Sequence, residues 1–158
     1  MLKLAGAALV FVAAALYGRG LCEKIKRRLA LLEAMEDLIS YIGESIETLR
    51  QPLGRIFEDY QNTFLEKNGF TKILRQEGLF AAVCSIQKDL PAEIFDCLSA
   101  FSRTIGGGYA SEQTKLCILT GQRLQRVRDG MCAQLPGKLK VYRLMPLLAA
   151  ASVLILIL

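Results

Sequence analysis

Five carboxylates on one stretch pose the first chemical question. Glu33, Glu36 and Asp37, then Glu44 and Glu47, are spaced so that a helix would bring pairs of them together. Two such carboxylates could share a proton or hold a divalent cation. A carboxylate-bridged metal centre in a helical bundle also draws on Glu-x-x-His motifs, and the chain has no histidine. The same absence excludes Ser-His-Asp and Cys-His catalysis and any histidine-containing zinc site. The acidic cluster therefore reads as the solvated face of an amphipathic helix.

Other groups fare no better as chemistry. "GGG" (Gly106–Gly108) lacks the trailing Lys-Ser/Thr of a phosphate-binding loop and follows a helical pattern, so it reads as a helix end and turn. Ser111 has no base partner in the sequence and is expected to cap the next helix. The cysteines Cys22, Cys84, Cys97, Cys117 and Cys132 form no C-x-x-C and are odd in number. They read as small buried hydrophobes in a reducing compartment. No enzyme signature emerges, no cofactor or small-molecule substrate is implied, and no metal site is expected.

The elements that carry these residues follow from apolar spacing. Leu21, Ile25, Leu29, Leu32, Met35, Ile39, Ile42, Ile46 and Leu49 step by three or four, one helix stopped by Pro52. Leu53, Ile56, Phe57, Tyr60 and Phe64 predict a second helix, ended by "KNG" (Lys67–Gly69). A third runs through Leu79–Gln87. Pro91 opens a fourth, with Ile94, Phe95, Leu98, Phe101 and Ile105 inward. The last carries Leu116, Ile118, Leu119, Leu124, Val127 and Met131 and continues past "PGK" (Pro136–Lys138). The fold class is all-α, an antiparallel helical bundle with short connections.

Both ends of the chain are apolar. "LAGAALVFVAAALYG" (Leu4–Gly18) and "LMPLLAAASVLILIL" (Leu144–Leu158) approach spanning length once their flanks are counted. The expected organisation is an N-terminal transmembrane helix (1–22), a helical bundle domain (23–140) and a C-terminal transmembrane helix (141–158). The net charge is +5. Arg19, Lys24, Lys26, Arg27 and Arg28 follow the first apolar segment, and Lys138, Lys140 and Arg143 precede the second. Both clusters flank the middle region, which the positive-inside rule sets in the cytoplasm, with both termini outside. Positive charge beside the membrane favours lipid headgroups or an acidic partner over nucleic acid. Arg126 and the turn Gly106, Gly107 and Gly108 are the candidate partner contacts.

The order of these pieces resembles the stage III sporulation protein AB family. The resemblance is carried by "MLKLAGAALVF", "RRLALLEAMEDLISYI", "PLGRIF", "FSRTIGGGYASEQTKL" and "KVYRLMPLLAAASVLILIL". It implies a non-enzymatic cell-membrane component, on the mother-cell side, of the trans-envelope complex between mother cell and forespore that endospore formation requires. It also implies a soluble domain similar to that of type II secretion F proteins. The implied partners are the stage III sporulation protein AA ATPase and other proteins of the same complex.

Other readings of the residues stand beside it. Lys3, Leu4–Leu16 and Ala13-Ala14-Ala15 also have the layout of a cleavable signal peptide, which would make the chain an exported helical binding protein. Another platform protein of the type II secretion F kind is a further alternative. A pore built from the two apolar ends is opposed by their lack of polar lining.

Overall fold

The chain is described by a computed structural model, which gives the backbone of residues 2–157. The side chains of residues 1–11, 14, 15, 134, 136–147 and 149–158 lie outside the described residues. Seven α-helices and no strand occur among the described residues: α1 (Leu2–Glu44), α2 (Leu53–Asp59), α3 (Thr63–Lys67), α4 (Phe70–Glu77), α5 (Leu79–Ser85), α6 (Ala92–Thr104) and α7 (Ala110–Ile157). The all-α expectation holds.

The chain divides into two compact units. One comprises Met1–Arg27 with Gly130–Leu158, and the other Arg28–Asp129. In the first, Cys22 is buried, whereas Val12, Leu16, Tyr17 and Leu148 are more than half exposed. No helix has a described stretch long and apolar enough to cross a membrane. Most of 1–22 and all of 141–158 except Leu148, the two segments expected to span, lie outside the described side chains.

The second unit holds the core. On α1 the buried face is Leu31, Leu32, Ala34, Met35, Leu38, Ile39 and Ile42, wider than the single stripe the spacing predicts. The reason is that neighbours cover α1 on more than one side. Leu49, expected inward, is 59% exposed, because the helix changes before reaching it. Ser45–Leu49 widens into a π turn, and Arg50 stops it in the left-handed region (φ 49°). Pro52 keeps the helix from resuming, since Gln51, the residue before it, is steered away from helical backbone. A non-glycine in that region costs about 1–2 kcal/mol.

Five short helices then fold in sequence. Helices this short are not stable alone and depend on packing. α4 packs against α2, α3 and α5, and α5 packs against α6. Ile56, Leu65, Phe70, Leu74 and Ile94 are essentially inaccessible. The single helix expected from Leu53 to Phe64 is two helices. Tyr60 turns extended, and the Asn62 side chain accepts hydrogen bonds from Phe64 N and Leu65 N to cap α3. Tyr60 uses the break to reach α1: its hydroxyl donates to the Ala34 carbonyl at 3.4 Å, and its ring lies 5.3 Å from that of Tyr41. Arg75 donates to the Tyr60 carbonyl and closes the end of α2. Helix α6 buries Ile94, Leu98 and Phe101 as expected, whereas Phe95 and Ile105, also expected inward, are only half-buried.

Helix α7 begins at Ala110, so Ser111 lies inside it, exposed, and is not its cap. The start is held from the other side. Glu112 Oε2 accepts from Tyr109 N at 3.4 Å, and Gln113 Nε2 donates to the Gly108 carbonyl at 3.2 Å. This is the returning half of a capping box, supplied by the residue three along. The helix runs unbroken through Pro136 and Pro146 to Ile157.

Candidate functional site

Within the unit Arg28–Asp129, α1 and α7 lie close together. The approach is set by Gly43, where a Cβ would stand 3.1 Å from Cys117 Cβ. A larger residue at either position would push the helices apart. Along this seam opens a groove of about 380 Å³. Its floor is Ile39, Gly43, Cys117 and Gly121. Glu36, Ser40, Glu44 and Glu47 form one wall, and Thr114, Ile118, Gln122 and Gln125 the other. Every charge lining the groove is negative.

At one end of it sits an ion pair. Arg128 Nη1 donates to Glu36 Oε2 at 2.6 Å, with the two side chains only 24% and 15% exposed. Arg128 also reaches Asp129 at 3.3 Å. Glu36 Oε1 is buried and makes no hydrogen bond. Burial pushes the Glu36 carboxyl above its ordinary range. Arg128 pulls it back, while Asp129, Glu33 and Asp37 push the same way as burial. A half-satisfied, partly desolvated carboxylate is costly to leave without its cation.

A second groove, about 450 Å³, opens at the glycine turn between Ile46, Arg50, Leu53, Gly106, Gly108 and Gln113. Gly106 (φ 97°) and Gly108 (φ 87°) need backbone that side chains disfavour. At Gly106 a Cβ would also stand 2.9 Å from Leu53. The turn thus does structural work, as its composition implies. Exposed Leu49 and Tyr109 stand at this end of the unit.

The candidate contacts do not gather in one place. Gly106 and Gly108 line the turn groove, whereas Arg126 is exposed on α7, eighteen residues further along the chain. The basic residues Arg19, Lys24, Lys26, Arg27 and Arg28 are all exposed on α1; Lys138, Lys140 and Arg143 lie outside the described residues. The carboxylates Glu33, Asp37, Glu44 and Glu47 are solvated, as read from the sequence, and Glu36 is the exception. Sequence reasoning missed the Glu36–Arg128 pair, whose partners are 92 residues apart. No three Cys, Asp or Glu gather as a metal-ion set among the described residues.

The cysteines divide. All five are free. Cys22 and Cys117 are buried and Cys97 is half-buried, but Cys84 and Cys132 are exposed, contrary to the expectation of five buried thiols. Burial pushes the Cys117 thiol up to about 11 and raises Cys97 as well. Neither is poised as a nucleophile, which requires a depressed value.

Among known proteins, the family model for stage III sporulation protein AB matches residues 3–76. The matched stretch takes in α1, the π turn and α2 to most of α4, and ends before the glycine turn and α7. No curated protein and no solved structure matches the chain. That stretch is just under half of the chain, and over it the chain is similar to the stage III sporulation protein AB family.

Proposed function

We propose that the chain is a non-enzymatic, membrane-anchored component of the complex joining mother cell and forespore, and that its helical unit serves as a platform for a secretion-type ATPase. The family match carries this reading. Two features of the chain support it. The exposed cations Arg19, Lys24, Lys26, Arg27 and Arg28 follow an apolar run directly, the pattern of a cytoplasmic membrane flank. The exposed apolar side chains Val12, Leu16, Tyr17 and Leu148 all belong to the unit formed by the two ends, where lipid would solvate them.

In this reading the chain sits in the mother-cell membrane with the unit Arg28–Asp129 on the cytoplasmic side. It needs no cofactor, because its task is to hold and be held. Its partners are an ATPase of the stage III sporulation AA type and other proteins of the same complex. Affinity capture of the full chain from detergent extracts of sporulating cells should recover that ATPase. Capture of the chain alone, from cells in which the complex is intact, would sink the proposal. N-terminal sequencing tests the exported alternative: a mature chain beginning near Leu16 would favour it, and an intact Lys3 excludes it.

A further inference from the structure

The groove between α1 and α7 and the ridge beside it have opposite character. The ridge is the outward face of α7. Ile118 and Leu119 stand 54% and 56% exposed, neighbours in the open. Lys115 lies about one turn before them and Arg126 about two turns after, both exposed. The α1 wall of the groove is the reverse: it carries Glu36, Glu44 and Glu47 and no base. Its floor includes Gly121, where a Cβ would meet nothing within 4 Å, so a second helix can come close there. The spacings agree as well. Lys115 and Arg126 are eleven residues apart, and so are Glu36 and Glu47. Each separation is about 16 Å along a helix. Among the described residues, none of Lys115, Arg126, Glu44 and Glu47 has an ion-pair partner within the chain.

We infer that a second copy of this chain occupies the groove, as half of a two-fold pair. The ridge of each copy enters the groove of the other. This is the self-complementary arrangement that an isologous contact demands. The two α7 helices run side by side in the same direction and come nearest at Gly121. Thr114 and Glu47 share one end of the groove, and Gln125 and Glu36 the other. That register brings Lys115 beside Glu44 and Glu47 of the second copy, and Arg126 beside its Glu36. Ile118 and Leu119 leave water in the same step. The common direction rests on the membrane reading above, since two copies anchored in one bilayer must point the same way. The charge match does not rest on it.

The test is the mass of the full chain in detergent, by sedimentation, for the parent and for charge-reversed variants. The parent forms a dimer. Lys115→Glu with Arg126→Glu weakens association at least tenfold, and so does Glu44→Lys with Glu47→Lys. An equal mixture of the two variants recovers association in part, because the reversed Lys115 position then meets the reversed Glu44 and Glu47, while the reversed Arg126 position still faces Glu36. Helical circular dichroism of both variants should match the parent, since all four positions are exposed. A parent that stays monomeric at every concentration overturns the inference. So does a dimer indifferent to reversal, or a mixture that recovers no association. If the chain proves soluble without detergent yet still pairs with this charge dependence, the membrane reading falls and the pairing is upheld.

Discussion

The two long helices and the five short ones solve different problems with the same kinds of residue. Between Leu53 and Thr104 the short helices close on themselves. Ile56, Leu65, Phe70 and Ile94 are wholly inaccessible, and Phe80, the large apolar side chain most exposed there, lies under the Arg103 guanidinium at 4.6 Å. Along α7, by contrast, Ile118 and Leu119 are left open beside a groove walled with acid. Neither region is more apolar by design of its helices alone. The difference is that one side has spent its apolar surface on folding, and the other retains it for contact.

Substitutions should separate the two regions. The largest expected effect is in the closed one. Phe70→Ala removes a fully buried ring and is expected to cost about 3–5 kcal/mol, read from the denaturant midpoint of the helical signal. A cost near zero would mean that the short helices are not the core.

Next comes the seam. Arg128→Ala strands the Glu36 carboxylate and is expected to cost about 1–3 kcal/mol at neutral pH. The folded state holds the Glu36 proton more tightly than the unfolded chain does, because burial raises its value above the ordinary 4.5. Stability from this group is therefore greatest at low pH and is lost as pH climbs from the ordinary value through the raised one. Losing the guanidinium raises the folded value further, so the variant's penalty should shrink on acidification. A penalty that is flat with pH would show that Glu36 is not the group involved.

A smaller effect is expected at the break between α2 and α3. Asn62→Ala removes both hydrogen bonds to the first turn of α3 and should cost about 1 kcal/mol. Hydrogen exchange at Phe64 and Leu65 should quicken with it. The smallest sits on the open ridge. Ile118→Ser should change folding stability by less than about 0.5 kcal/mol, yet weaken association of the full chain in sedimentation. A loss as large as that at Phe70 would erase the contrast between the regions.

How much of this was legible in the sequence depends on range. The inward face of α6 could be read from Ile94, Leu98 and Phe101 alone, and the glycine turn from its composition. Local signals also existed where the reading failed. Asn62 before Thr63 is a helix start, but the apolar spacing of Tyr60 and Phe64 runs on across the break and hides it. Helix α4 is masked by "KNG", which Phe70 follows at once, although Phe70, Ile73 and Leu74 have helical spacing. Ser111 looked like the cap, while the contact is made by Glu112 reaching back to Tyr109. The groove was not legible at all. It depends on Gly43 meeting Cys117 and Glu36 meeting Arg128, and no local pattern records contacts between residues so far apart in the chain.

The burial of Cys117 gives the molecule a built-in clock. With its thiol pushed to about 11, almost none of it is thiolate at neutral pH, and its sulfur is shut behind the α1 backbone at Gly43. Cys84 and Cys132, in the open, would take an alkylating reagent at once. Cys117 would react only in the moments when the seam parts, so the lag of its mass tag behind theirs counts those openings without any denaturant. A second chain seated in the seam would lengthen that lag.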